Sequence, residues 1–174
     1  MEKKPISTIV VGAIICLLMI IYTLILNLNN LQGNSQLSWI SYIIVIAGIC
    51  FFVVKYGKDR LGKVTFGNLF AYGFKSTAAL IIFFIVFIII FYLLFPEYKQ
   101  QMLDIVKEKA MEKATAENRE NIEKGVDMFS KFFWVGLIAG SMFSFALLGA
   151  IGSLIGAAVT KKDPNFHQQI DQIK

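Results

Sequence analysis

The sequence predicts an all-α integral membrane protein with four transmembrane helices, and three observations support this fold class. First, 56% of the residues are apolar and only 17% are charged, which is more apolar surface than a water-soluble domain of this size can bury. Second, the apolar residues are gathered into four runs as long as membrane spans. Third, most Lys and Arg residues lie in short segments beside these runs. The expected architecture is an antiparallel bundle with an outer amphipathic helical hairpin between spans 3 and 4.

The four runs are parts of a single membrane domain, 1–174, with spans at about residues 8–28, 38–55, 76–95 and 132–159. Asn and Gly residues follow span 1 and predict a turn. Because the connection to span 2 is short and uncharged, spans 1 and 2 are expected to form an antiparallel hairpin. Pro96 ends span 3, and the length of span 4 indicates a tilted helix or one that extends into the interface.

The segment 66–75, just before span 3, mixes aromatic residues with glycines after a basic loop. One interpretation places it along the inner membrane interface, with the Lys75 ammonium reaching toward the lipid headgroups. The other makes it the first turns of a long span 3. The sequence leaves both interpretations open.

The segment 97–131 between spans 3 and 4 is rich in Glu, Lys, Ala and Met. Its apolar residues recur at helical spacing, and Glu120 precedes Lys124 by four residues, an arrangement that supports a helix. We expect an extramembrane helical hairpin that bends near residues 115–118. It is either a solvated cap on the bundle or a surface that binds a partner.

The distribution of charge predicts that both termini are cytoplasmic. With the N-terminus inside, the inner segments carry a net charge of +6 and the second outer loop carries −1. The same orientation brings aromatic residues to the outer membrane boundary, where amphipathic rings prefer to lie: Trp39, Tyr92, Tyr98 and Trp134.

Small residues recur along span 4 at intervals of four: Gly136, Gly140, Ser144, and again Gly152, Gly156 and Thr160, with Gly149 and Ser153 as a further pair. Lipid provides little hydrophobic drive between helices, so small residues that allow close approach are a main means of packing them. Span 3, crowded with Phe and Ile, is the expected bulky complement. Span 4 is therefore either the central helix of its own bundle or the seam of a dimer.

The residues required by common chemistries are absent. The single histidine, His167, has no Cys or second His beside it, and Cys16 and Cys50 lie inside apolar spans. The span cores contain no ionisable side chain of the kind that ion-coupled transport requires. We therefore expect no catalytic residues, no metal and no cofactor. The excess basic charge lies beside the spans and indicates membrane orientation, not a nucleic-acid partner.

The order of several motifs resembles a family of short bacterial four-transmembrane-helix proteins defined only as a domain of unknown function. These motifs are Phe66-Gly67, Tyr72-Gly73-Phe74, Pro96-Glu97-Tyr98, Gly152-Ser153-Leu154-Ile155-Gly156 and Lys161-Lys162. The resemblance implies a multi-pass protein of the inner membrane of a Gram-negative bacterium. It supplies no catalytic or binding residues to transfer to this chain.

Two functional hypotheses follow. In the first, the protein is a non-enzymatic accessory or assembly protein that acts through helix packing and its outer hairpin. In the second, it is a small transport or permeation unit, a homo-oligomer that lines a path with the Gly, Ser and Thr face of span 4. The expected partners are membrane lipids, and a protein or a second copy bound through span 4 or the outer helices.

Overall fold

A computed structural model describes residues 4–29, 31, 35–112 and 118–164. Over these residues the chain forms six helices and no strand: α1 Thr8–Leu28, α2 Ser35–Asp59, α3 Phe66–Leu94, α4 Pro96–Glu112, α5 Arg119–Lys131 and α6 Phe133–Val159. Four of them, α1, α2, α3 and α6, are long and apolar enough to cross a membrane. The predicted all-α fold class with four candidate spans is confirmed.

Segment 66–75 is part of α3, as in the second of the two interpretations of the sequence. Helix α3 begins at Phe66 and continues without a break to Leu94, so segment 66–75 forms its first turns. The Thr65 hydroxyl accepts the backbone N–H of Asn68 at 3.2 Å and satisfies one of the free donors at the helix start. Because the helix starts at this cap, α3 is longer than the predicted span 76–95, which contains only the uncharged apolar run.

The other helix boundaries also differ from the apolar runs by a few residues. Helix α2 extends beyond the predicted 38–55 at both ends, and α6 begins one residue after the predicted start of span 4. Helix α4 begins at Pro96, where the missing backbone N–H costs no helical hydrogen bond. The bend expected near residues 115–118 lies mostly outside the described residues.

The chain divides into two compact units, and α3 and α6 contribute to both. Unit 1 comprises Met1–Phe84 and Phe143–Lys174, and unit 2 comprises Ile85–Met142. Unit 1 therefore contains α1, α2, the first part of α3 and most of α6. Unit 2 contains the end of α3, the beginning of α6, and the polar helices α4 and α5.

The core of unit 1 is narrow, and each helix contributes one stripe to it. On α1 the buried residues recur at helical spacing: Val11, Gly12, Ile15, Cys16 and Met19. The opposite face is apolar yet exposed, with Leu17 at 57% and Ile9 at 62% exposure. Exposed apolar side chains all around a buried stripe are typical of a helix that meets lipid on its outer face.

Unit 2 is held by aromatic rings and by the contact between α4 and α5. Phe133, the first residue of α6, is 1% exposed and meets the ring of Tyr92 edge-on at 5.5 Å. The Lys99 ammonium from α4 lies 5.1 Å from the centre of the same Phe133 ring. These contacts fix the start of α6 against α4 and the last turns of α3.

Candidate functional site

The small residues of α6 meet small residues of α3 in unit 1. A Cβ added at Gly149 would clash with the Thr77 side chain, and a Cβ added at Gly73 would clash with Ser153. The two pairs are reciprocal, since each helix supplies one glycine and one hydroxyl residue. The bulky complement that sequence analysis expects on span 3 is therefore not what faces Gly149 and Ser153. Close approach is achieved here by small residues on both helices.

The same end of α6 also lies close to α2. A Cβ at Gly152 would stand 2.8 Å from the backbone oxygen of Ile46, and one at Gly156 would stand 2.8 Å from Cβ of Val53. Backbone atoms of α2 limit the space at both positions, since a Cβ at Gly156 would also stand 3.1 Å from the backbone oxygen of Cys50. Gly149, Gly152, Ser153 and Gly156 are all buried.

The other small residues predicted to pack lie in different surroundings. Gly136, in unit 2, faces the ring of Phe129, whose nearest carbon would be 2.8 Å from an added Cβ. Gly140 has no atom within 4 Å of an added Cβ among the described residues. Ser144 is exposed. A packing role for Gly140 and Ser144 requires a second molecule and stays a prediction.

The buried hydroxyl groups at these contacts donate to the backbone of their own helices. Ser153 donates to the Gly149 oxygen at 2.6 Å, and Thr77 donates to the Gly73 oxygen at 3.0 Å. Thr160 and Ser76 make the same bond to the residue four positions before them. Each hydroxyl is satisfied locally, so these groups fill space between helices without lining a polar path.

The start of α1, the end of α2 and the start of α3 meet at the basic end of unit 1. The rings of Tyr56 and Tyr72 stack with centres 4.1 Å apart. The Tyr72 hydroxyl donates to the backbone oxygen of Ile6 at 2.7 Å, which ties α3 to the chain before α1. The Arg60 guanidinium lies 5.9 Å from the centre of the Tyr56 ring, and its Nε is buried without a hydrogen-bond partner in the described structure.

A turn after α2 holds the end of α6 at this basic end. Gly62 has φ of +74°, a conformation that glycine adopts without strain, and its carbonyl accepts the backbone N–H of Asp163 at 3.1 Å. The Lys162 ammonium lies 5.2 Å from the centre of the Phe66 ring. The segment after α6 is thereby fixed beside the start of α3.

An open cavity of about 320 Å³ lies at this end of unit 1. Its lining comes from three helices: Thr8, Tyr56, Asn68, Ala71, Tyr72 and Lys75. Lys75, which the sequence assigns to the membrane interface, is exposed and is the only charged residue among the described residues of this lining. We refer to this space below as the Lys75 cavity.

A second cavity, of about 270 Å³, lies in unit 2 between α4 and α5. Both helices line this hairpin groove: Lys107, Met111, Glu123, Val126 and Asp127. Neither helix has a buried residue. The predicted pair Glu120 and Lys124 forms a salt bridge of 2.7 Å on the exposed surface. The hairpin thus presents apolar and charged groups together on an open surface.

The aromatic residues assigned to the outer interface are partly exposed. Trp39, in unit 1, is 66% exposed and meets Tyr42 edge-on. Tyr92 and Trp134, in unit 2, lie with ring centres 6.3 Å apart. Exposed rings near helix ends are compatible with an interfacial role, which stays a prediction.

Three further polar residues of the Lys75 cavity were not predicted from the sequence: Thr8, Tyr56 and Asn68. They belong to three helices and share no spacing that a linear pattern could reveal. The signal that was available is the aromatic Tyr72-Gly73-Phe74 motif beside Lys75. Among the described residues there is no group of three or more His, Cys, Asp or Glu side chains that could hold a metal ion.

Comparison with known proteins gives one match. The model of a family described as "Protein of unknown function (DUF4199)" matches residues 9–162, which is most of the chain. No curated protein and no solved structure matches.

Proposed function

Because the chain belongs to the DUF4199 family of proteins of unknown function, no activity can be transferred to it, and we propose that it is a non-enzymatic interaction protein of the bacterial inner membrane. In this proposal the four spans anchor the protein, both termini are cytoplasmic, and the α4–α5 hairpin meets a protein partner on the outer side. The role is that of an accessory or assembly factor.

The hairpin groove carries this proposal. Isolated helices of this length are marginal in water, so α4 and α5 require contacts beyond their own backbone. Val126 and Met111 line the groove and remain partly exposed, while Lys107, Glu123 and Asp127 surround them with charge of both signs. An apolar centre with a charged rim is the usual anatomy of a surface that binds another protein.

The arrangement of unit 1 supports the anchoring part of the proposal. Its helices approach through glycines at Gly152 and Gly156, and its buried hydroxyls bond to their own backbones. The transport alternative needs the same Gly, Ser and Thr face to line a path. Since the part of that face from Gly149 to Gly156 is occupied by α2 and α3, we place this alternative second.

Site-specific photo-crosslinking in cells that produce the protein tests the proposal. A photoreactive residue at Val126, inside the groove, should give a discrete crosslinked product, and Met111→Lys should remove that product. The matched control is Asn121, which is exposed on the opposite face of α5. Equal products at both positions, or none at Val126, would contradict a groove that binds a partner. Solute flux through proteoliposomes of the purified protein would instead favour the transport alternative.

A further inference from the structure

We propose that the Lys75 cavity binds the phosphate group of an anionic phospholipid. The cavity is formed by one residue at the start of α1, one near the end of α2 and four in the first turns of α3. Its volume of about 320 Å³ suits a headgroup.

Three hydrogen-bond donors around the cavity are not engaged elsewhere. Within the described residues, neither the Lys75 ammonium nor the Thr8 hydroxyl has a hydrogen-bond or ion-pair partner. The side-chain amide of Asn68 is likewise without one, since the bond at this residue uses its backbone N–H. The Tyr72 hydroxyl, by contrast, already donates to Ile6. One cation and two neutral donors facing one space form a binding site for an anion with several oxygen atoms.

The charges around the cavity favour the same ligand class. Unit 1 contains only two acidic residues in its described part, Asp59 and Asp163, and neither lines the cavity. Eight basic residues are described in the same unit: Lys4, Lys55, Lys58, Arg60, Lys63, Lys75, Lys161 and Lys162. A basic cavity between the ends of membrane helices is a recurring form of lipid headgroup site.

The position of the cavity selects a lipid over a soluble phosphate. Thr8 is the first residue of α1, and an uncharged apolar run of α3 starts directly after Lys75. The cavity therefore lies where the apolar helices begin, which is the depth of the lipid phosphates in a bilayer.

Native mass spectrometry of the purified full-length protein, titrated with phosphatidylglycerol in detergent, tests the proposal. Lys75→Gln should weaken phosphatidylglycerol binding roughly tenfold, as expected for the loss of a charge-assisted hydrogen bond. Lys63→Gln is the matched control, because Lys63 is exposed at the same end of unit 1 and does not line the cavity. It should leave the affinity unchanged. Lys75→Arg should retain binding.

A second variant distinguishes lipid binding in the cavity from a general attraction of the lipid to basic charge. Ala71→Leu fills the cavity without altering charge and should also weaken phosphatidylglycerol binding, while phosphatidylcholine binds weakly to every variant. Equal losses in Lys75→Gln and Lys63→Gln would overturn the proposal, as would unchanged binding in Ala71→Leu. If inorganic phosphate alone binds in a Lys75-dependent manner and phosphatidylglycerol does not compete with it, the lipid is excluded as the ligand. Elution volume and helical content identify any variant that fails to fold. In that case the phosphatidylglycerol binding of Lys75→Arg decides whether the proposal holds.

Discussion

Gly152 and Gly140 belong to the same small-residue pattern of α6, but their surroundings differ. An added Cβ at Gly152 would meet the Ile46 backbone oxygen at 2.8 Å, whereas one at Gly140 would meet no described atom within 4 Å. Spacing along a helix identifies residues that permit close approach. It does not identify which of them a neighbouring helix approaches.

This difference predicts opposite outcomes for the same substitution. Gly152→Ala should lower the free energy of unfolding by about 1–3 kcal/mol, because the backbone of α2 must shift to admit the methyl group. Gly140→Ala should change it little. Thermal unfolding of the purified protein in detergent measures both.

Gly140→Ala is the control here, since both variants add one methyl group to the same helix. Equal stability of the two variants would contradict close packing at Gly152. A selective loss of stability in Gly140→Ala would instead indicate that a second copy covers this position, as in the dimer seam considered from the sequence.

At the scale of elements, the stability of helix α5 depends on a stripe of apolar side chains. Ile122, Val126 and Phe129 recur at helical spacing and are half-buried, while the rest of α5 is mostly exposed. Salt bridges between exposed residues, such as Arg119 with Glu123, contribute little to stability. Contacts of these apolar side chains, such as that of the Phe129 ring with the Phe133 ring of α6, are therefore the main physical reason for α5 to remain helical.

Hydrogen exchange in nanodiscs tests the hairpin. The amides of Met102 to Met111 in α4 should exchange at least roughly tenfold more slowly than those of a free peptide of residues 96–131. Val126→Asp should reduce this protection, because it places a further charge in the groove between α4 and α5.

Asn121→Asp adds the same charge to the exposed face of α5 and should leave the protection of α4 intact. Exchange as fast as in the free peptide would mean that α4 is not docked, and the groove would then lose its physical basis.

At the scale of the whole molecule, the charge distribution is the basis for orientation. Outside the hairpin region, basic residues outnumber acidic ones by ten to four, while the hairpin region carries acidic and basic residues in near balance. Under the positive-inside rule, this asymmetry predicts a topology with both termini in the cytoplasm.

Cysteine labelling checks this topology after Cys16 and Cys50 are replaced by Ala. In intact spheroplasts a membrane-impermeant maleimide should react with Asn118→Cys and should leave Lys58→Cys unlabelled. Lys58 is exposed in unit 1, so its protection would come from the membrane and not from burial. Permeabilised cells, in which both positions should react, are the control. Labelling of Lys58→Cys from outside would reverse the assigned orientation.

The sequence by itself determined the all-α class, the four candidate spans and the helical nature of the hairpin, because these depend on local properties. An apolar run in lipid must satisfy its backbone hydrogen bonds internally, so its length and composition are enough to predict a helix. Helix boundaries depend partly on caps such as Thr65, which explains why α3 begins at Phe66 and not at the start of its uncharged run.

Only the tertiary structure decided which residues meet. Gly149 faces Thr77, Gly73 faces Ser153, and Lys75 shares a cavity with Thr8, although the residues of each pair are far apart in the sequence. Such contacts depend on the rotation and crossing of whole helices, which the packing of many side chains sets together. The sequence pattern identifies residues that could form contacts, and the position of the neighbouring helix determines which of them do.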